Sequence, residues 1–296
     1  AEFGTEAEKA ESDAALIYQA EKELATAMLT KEQKRNPVLL YNPKSLKETS
    51  VLTRNVDLSN MLDALNLKTD TLIVTEPNYL KSMNAMVIGT NIEKMKLLCK
   101  WSVIRGAGNM LNDKTEKRFF AFYGTTLRGV PAQKSRRERA LDVVNRSIGE
   151  ALGKLYVNPY FSEEAKTTAR ELVDDLIAAY RIRIKQLSWM SPETQTKALK
   201  KLDKLMIKSG YPDKWRDYST LAIKPYSDGG SYLENAMNAT KFEVLRNAAK
   251  FGKPVDKSEW LMNPQTVNAY YNPLYNEIVF PAAILQAPFF DFRNDA

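Results

Sequence analysis

The side chains that could do chemistry are few in this sequence. Its 296 residues include no histidine and a single cysteine, Cys99. The chain therefore lacks the residues for a His/Cys zinc site, a Ser-His-Asp triad or an imidazole general base. Cys99 follows Leu97 and Leu98 in an apolar run, which predicts a buried structural thiol. The acidic pairs Glu163-Glu164 and Asp174-Asp175 are typical of helix caps and surface charge. Because histidine is absent as well, most hydrolytic mechanisms are excluded for this chain acting alone.

One stretch near the end of the chain, Val267 to Phe290, places a polar residue in an unusual position. Alternating side chains predict two strands, joined by a turn at Asn272-Pro273. Asn268 falls within the first predicted strand, where asparagine is disfavoured. Its amide offers two hydrogen-bond donors and an acceptor. Two interpretations stay open: a structural polar link at a strand edge, or a group that binds a neighbouring backbone.

An apolar segment follows the second predicted strand. That strand is expected to end at Phe280, because Pro281 cannot continue a hydrogen-bond ladder. The large apolar side chains after it are Ile284, Leu285, Phe289 and Phe290. They form either a wall of the core or a wall of a substrate pocket, and the sequence alone leaves both open.

The charge of the chain is positive but mixed in sign, with 43 Lys and Arg against 36 Asp and Glu and a formal net charge of +7. The densest basic cluster, Lys134 to Arg139, runs directly into apolar residues at helical spacing. This pattern is typical of a solvated helix face, and a phosphate or partner contact is the alternative. Nucleic-acid binding is not predicted, because such proteins usually concentrate their positive charge.

The sequence predicts no membrane span, because no stretch approaches the ~18 consecutive apolar residues that a span requires. It also shows no signal-peptide pattern at its start. Residues 1–5, Ala-Glu-Phe-Gly-Thr, are interpreted as a cloning remnant ahead of the native sequence.

Amphipathic spacing dominates the rest of the chain and predicts a mainly α fold. Long helices are expected over residues 6–35, 135–156, 162–187, 191–207 and 231–250. Ser45, Ser162 and Ser191 are predicted to cap helices. The predicted fold is a large multi-helix lobe followed by a small α+β segment with a C-terminal β-hairpin.

The hairpin motif also carries a resemblance to a known family. The segments that carry it are Val267-Asn-Ala-Tyr-Tyr-Asn-Pro273, Asn276-Glu-Ile-Val-Phe-Pro281, Ile284-Leu-Gln286 and Pro288-Phe-Phe290, with Gly210-Tyr-Pro-Asp213 and Tyr232-Leu-Glu-Asn235 upstream. Together they resemble the region that precedes the zinc motif in the neprilysin/endothelin-converting-enzyme family of zinc metallopeptidases. The resemblance is to the bacterial branch in particular, which agrees with a chain that has one cysteine.

The resemblance implies a large helical lobe that closes over a thermolysin-like catalytic lobe. Residues 6–250 are then expected to form the helical lobe, with a boundary as early as 210, and residues 251–296 to open the catalytic lobe. The parent protein is expected to be a periplasmic or secreted zinc metalloendopeptidase that hydrolyses peptide bonds in oligopeptides. This chain is expected to be a fragment of it, truncated before the zinc motif.

The resemblance further implies a set of substrate-binding residues. In that family an Asn-Ala pair on an edge strand hydrogen-bonds the substrate backbone, which maps onto Asn268 and Ala269. Ile284 and Phe289 map onto the pocket for the side chain that follows the scissile bond. The family usually has Gly where Ala283 stands, and Pro at residue 287, where this chain has Ala, so the rim of the pocket is expected to differ.

Zinc is expected in the parent enzyme but not in this chain. The family motif His-Glu-x-x-His and the later ligands are absent from the sequence, so we predict no catalytic residue and no metal ligand here. The chain is expected to be inactive alone, with peptide substrates and the missing catalytic portion as its partners. The alternative is a non-catalytic module that captures peptides or a second chain with its exposed hairpin edge.

Overall fold

The computed structural model describes residues 4–88 and 91–293, so Ala1 to Phe3 of the predicted cloning remnant lie outside the described residues. Within these ranges the fold is mainly α, as predicted, with twelve α-helices and five short strands. The helices are α1 (Ala7–Ala27), α2 (Pro37–Leu40), α3 (Leu46–Leu52), α4 (Leu58–Ala64), α5 (Pro77–Met86), α6 (Asn91–Ala107), α7 (Asp113–Phe119), α8 (Arg136–Ser147), α9 (Gly149–Tyr160), α10 (Glu163–Lys185), α11 (Pro192–Asp203) and α12 (Tyr232–Ala248). The strands are β1 (Pro43–Ser45), β2 (Thr71–Ile73), β3 (Met206–Gly210), β4 (Tyr270–Asn272) and β5 (Glu277–Pro281).

The chain divides into two compact units by its internal contacts. The first runs to Gln133 and also includes residues 231–233 and 243–251. The second contains residues 134–230, residues 234–242 and the chain from Gly252 onward. This division differs from the lobe boundary expected from the family, near 210 or 250, which stays a prediction.

In the first unit, helices α5 and α6 pack against α1. Its core contains Ala20, Leu24 and Met86, against which Met95 and Leu98 of α6 pack. Cys99 is exposed, so the prediction of a buried thiol is wrong. The next residue after Leu98 points about 100° further round the helix, and this turns Cys99 away from the core.

The predicted helix caps are present. Ser45 and Glu48 form a capping box, in which the Glu48 N–H donates to Ser45 Oγ over 3.2 Å and the Ser45 N–H to Glu48 Oε2 over 2.8 Å. Ser162 accepts from the backbone at the start of α10, and Ser191 does so at the start of α11, where Pro192 occupies the first turn. Each cap satisfies a backbone N–H that the helix itself cannot pair.

The long helices differ from the predictions at their ends. The first helix ends at Ala27 rather than near residue 35. The helix predicted over residues 135–156 is interrupted at Ile148, whose backbone is non-helical (φ −133°, ψ 42°), so that α8 and α9 are separate. The predicted end of the first helix rested on Pro37, whereas its apolar pattern stops at Leu29. Amphipathic spacing does continue through Ile148, and spacing alone does not locate a change of helix axis.

A three-stranded sheet in the second unit contains the predicted hairpin. Its strand order is β3-β5-β4, with β3 parallel to β5 and β4 antiparallel to it. The prediction of helix through Ile207 is wrong: α11 ends at Asp203, and Met206–Gly210 forms β3. Pairing with a strand some 70 residues further along the chain overrides the local helical pattern there.

Candidate peptide-binding site

The hairpin presents one strand at the edge of its sheet. β4 pairs with β5 on one side and, within the described residues, with no strand on the other. Asn268 and Ala269 directly precede β4, which begins at Tyr270, so the prediction that Asn268 lies within the strand is wrong by two residues. The side chain of Asn268 is exposed, as expected for a group at an open edge.

Local hydrogen bonds use one half of the Asn268 amide. Its Oδ1 accepts from the Ala269 N–H over 2.8 Å, and its own backbone N–H donates to the Thr266 carbonyl over 2.9 Å. The Nδ2 donors of Asn268 have no partner within the described ranges. The local structure therefore fixes the direction of the side chain and leaves its donors for another group.

The two predicted pocket residues lie in the irregular segment that follows β5. β5 continues through Pro281, one residue further than predicted, because the last bond to β3 is donated by the Ala282 N–H to the Gly210 carbonyl over 2.7 Å and needs no N–H at Pro281. Ile284 is half-buried and its N–H donates to the Pro281 carbonyl over 3.2 Å, whereas Phe289 is 67% exposed. Phe289 is thus not a core residue in this unit.

Gln286 anchors that segment to helix α9. Its Nε2 donates to the hydroxyl of Tyr156 over 2.9 Å and to the carbonyl of Tyr160 over 3.2 Å. Burial raises the pKa of Tyr156, and the bond from Gln286 opposes this rise. The neighbouring Leu285 packs against the core that includes Val157. Two anchors that directly follow Ile284 therefore restrict this segment.

The segment that leads into the hairpin is held by two helices. Gln265 Nε2 donates to the Gly149 carbonyl over 2.9 Å and to Asn145 Oδ1 over 2.5 Å. Asn263 Nδ2 donates to the Asn145 carbonyl over 3.1 Å. The Ala283 N–H donates to the carbonyl of the buried Pro264 over 2.9 Å, which ties the approach to the hairpin to the segment that leaves it.

A buried ion pair underlies the hairpin, and sequence reasoning missed it. Lys208 Nζ of β3 lies 2.6 Å from Glu277 Oε2 of β5, with side-chain exposures of 8% and 0%. Lys208 also donates to the carbonyl of Glu259 over 2.8 Å. The alternation of β5 was predicted, but its buried face is the one that carries Glu277 and Val279. Glu277 lies two residues before Val279 and therefore on the same face of the strand. A charged residue on the face marked as buried by a valine was the signal that could have revealed the pair.

Tyr270, the first residue of β4, lies on the same face as this pair. Its hydroxyl accepts from the Leu261 N–H over 3.0 Å. Burial raises the pKa of Tyr270 to about 12; the neighbouring Glu277 carboxylate raises it too, and the bond from Leu261 opposes the rise. The hydroxyl is therefore neutral at any physiological pH.

The residues described do not fit a zinc ion. No group of three or more His, Cys, Asp or Glu side chains in residues 4–88 and 91–293 is arranged to hold a metal. The sequence has no histidine for the ligand set that zinc peptidases use. A cavity of about 280 Å³ in the first unit is lined mainly by apolar side chains, including Trp101 and Phe119, and by none of the predicted site residues.

No helix in the described ranges has the length and hydropathy of a membrane-spanning segment.

Comparison with known proteins gives the same family over most of the chain. Two models described as peptidase family M13 match residues 1–212 and 268–296. The neutral endopeptidase of Lactococcus lactis subsp. lactis (strain IL1403) is 32% identical over 259 residues, which cover 87% of this chain and 40% of that protein. Endothelin-converting enzyme 1 of Rattus norvegicus is 29% identical over 287 residues, which cover 93% and 37% respectively. This chain thus spans about 40% of the length of these relatives.

A solved structure agrees with the sequence matches. The crystal structure of the Mycobacterium tuberculosis zinc metalloprotease ZMP1 in complex with an inhibitor superposes with a TM-score of 0.90 at 39% identity. The match covers 99% of this chain and 44% of that one. This chain therefore belongs to peptidase family M13, the zinc metallopeptidases that include neprilysin and endothelin-converting enzyme.

Proposed function

We propose that this chain supplies the edge strand and part of the pocket wall that bind substrate in a zinc metalloendopeptidase acting on oligopeptides. The observation that carries the proposal is the position of Asn268 and Ala269 beside the open edge of β4. A peptide laid along this edge adds a strand and is recognised through its main chain. The Asn268 side chain is exposed, and the bond from the Ala269 N–H to its Oδ1 leaves its Nδ2 donors for a peptide carbonyl.

Ile284 and Phe289 supply the preference for side chains. Phe289 is 67% exposed, and its burial by a ligand contributes roughly 25 cal/mol for each Å² of apolar surface removed from water. Ile284 is half-buried in the anchored segment and contributes a firmer wall. A pocket with these two residues favours large apolar side chains on the peptide.

The hydrolytic step requires residues that this chain does not contain. With no histidine and no candidate metal centre in the described residues, we derive no step of bond cleavage from it. We propose that residues 6–250 form the helical lobe and that residues 251–296 open the catalytic lobe of a periplasmic or secreted enzyme. The remaining catalytic portion is then the partner that completes the site.

A binding titration tests the proposal. An oligopeptide rich in large apolar side chains, carrying a fluorescent label, is titrated with the purified chain. Asn268→Asp keeps the oxygen that accepts from Ala269 and removes both donors, so we expect affinity to fall about threefold to tenfold, the effect of one lost hydrogen bond. Asn66→Asp makes the same charge change at an exposed turn and is expected to bind like the wild type.

The pocket wall is tested in the same titration. Phe289→Ala is expected to weaken binding, whereas Leu274→Ala, at an 89% exposed position in the hairpin turn, is the matched control. Equal affinities of the wild type, Asn268→Asp and Phe289→Ala would refute the proposed site.

The absence of a candidate metal centre in the described residues also supports the second function, a non-catalytic peptide-capture module. The two functions predict the same binding and differ when the catalytic portion of a family member is supplied in trans. Restored peptide cleavage favours the enzyme fragment, and binding without cleavage favours the module.

A further inference from the structure

Three polar side chains form a row across the sheet beneath the hairpin. Lys208 of β3 and Tyr270 of β4 both lie opposite Val279 of the central strand β5, one on each side. Glu277 lies two residues before Val279 and therefore on the same face. The row thus includes one residue from each of the three strands.

A single segment of chain closes over this row. Lys208 Nζ donates to the Glu259 carbonyl over 2.8 Å, and the Leu261 N–H donates to the Tyr270 hydroxyl over 3.0 Å. Between these two contacts lies Trp260, which is 6% exposed. The covering segment is therefore bonded to strand β3 at one end and to the edge strand β4 at the other.

Stability alone does not account for such a row. Burying an ion pair costs desolvation free energy that the attraction between the two charges barely offsets. Replacing both residues with apolar residues of the same volume therefore often leaves the stability unchanged or higher. Here the cost is larger, because Glu277 Oε1 is buried without a hydrogen-bond partner within the described residues. In some proteins, buried polar and ionic groups instead serve to fix the register between elements.

We propose that Lys208, Glu277 and Tyr270 are positioning residues that hold the edge strand β4 in the geometry needed to accept a peptide strand. Tyr270 directly follows Ala269, so whatever fixes Tyr270 also fixes the start of the open edge. An edge that is already ordered loses less conformational entropy when a peptide binds, which increases affinity. The inference rests on the proposed function and assigns none of the three a contact with the peptide.

Two tyrosines that are adjacent in β4 provide a matched test. Tyr270→Phe removes the hydroxyl that accepts from Leu261, whereas Tyr271→Phe removes one on the opposite face, where Tyr271 bonds Asn276. We expect Tyr270→Phe to weaken binding of the labelled oligopeptide about threefold to tenfold and Tyr271→Phe to leave it unchanged. Glu277→Gln, which keeps the shape of the side chain and removes its charge, is also expected to weaken binding of the oligopeptide.

Amide hydrogen exchange in the free chain separates positioning from a general loss of structure. In Tyr270→Phe the amides of residues 261 and 269–271 are expected to exchange faster, while those of β2 keep the wild-type rate. Wild-type exchange in Tyr270→Phe, together with the same peptide affinity as Tyr271→Phe, would overturn the inference. If the wild type binds no peptide, the proposed function fails, and the exchange rates alone then decide whether the network holds the edge.

Discussion

At the scale of single residues, burial decides how strongly each ion pair affects the stability of this chain. The pair Lys197–Glu193 on α11 has side-chain exposures of 75% and 77%, and water screens it. Lys208 and Glu277 have 8% and 0%, so each depends on the other to offset its lost hydration. Two ion pairs of nearly equal length, both 2.6 Å, therefore differ in their effect on stability.

Replacing one partner of the buried pair should be costly. Lys208→Met leaves the Glu277 carboxylate buried without its cation, and we expect it to lower the free energy of unfolding by about 3–5 kcal/mol. Urea denaturation followed by circular dichroism measures this change. The double variant Lys208→Met/Glu277→Leu should recover most of the loss, and Lys197→Met should have little effect. A similar stability for Lys208→Met and Lys197→Met would show that the buried pair is not energetically important.

At the scale of elements, helix α9 and the segment before the hairpin approach unusually closely. A Cβ at Gly149 would lie 2.1 Å from the Asn263 side chain, and one at Gly153 would lie 2.7 Å from Pro264. Glycines four residues apart lie on one face of a helix, so together they form a seat for this segment. The hydrogen bonds of Asn263 and Gln265 to α8 and α9 then complete the attachment.

A methyl group in this seat should disturb the attachment. Gly153→Ala is expected to destabilise the chain by about 1–3 kcal/mol, because the added methyl group meets the ring of Pro264, which cannot move away freely. Gly106→Ala in α6 is the control, since nothing lies within 4 Å of its Cβ, and it should stabilise by about 0.5–1 kcal/mol through helix propensity. Thermal and urea unfolding of both variants give the comparison. Stabilisation by both substitutions would mean that the seat is not tightly packed.

At the scale of the whole molecule, the proposed binding edge occurs in a chain without histidine, the residue on which zinc peptidases depend. It belongs to a zinc metallopeptidase family and spans about 40% of the length of its relatives. Its sequence contains no histidine and its described residues contain no candidate metal centre. Binding and bond cleavage should therefore separate experimentally in this chain.

This separation gives a direct prediction. The purified chain, incubated with the oligopeptide with or without added zinc, should leave the peptide intact, because the sequence has no histidine and the described residues form no group that could hold zinc and activate its water. Mass spectrometry of the reaction detects cleavage, and a full-length family member is the positive control. Reproducible zinc-dependent products from the chain itself, removed by a chelator, would contradict the prediction.

Much of the helical part was predictable from the sequence. Caps such as Ser45 and Ser191 act within one helical turn, and their chemistry is local. The hairpin of β4 and β5 was predictable for the same reason, because its strands are joined by a short turn. The break at Ile148 was not, because the amphipathic pattern continues through it and the segment that packs against the next residue, Gly149, is distant in the sequence.

The sequence by itself determined the fold class, the family motif, the candidate residues Asn268 and Ala269, and the lack of any histidine. These properties reside in residue types and in spacings of a few positions. Only the tertiary structure decided that Met206–Gly210 is a strand and that Lys208 meets Glu277, because the two strands pair across about 70 intervening residues. Local periodicity carries no information about such pairing, and so the network beneath the hairpin became visible only when the chain was folded.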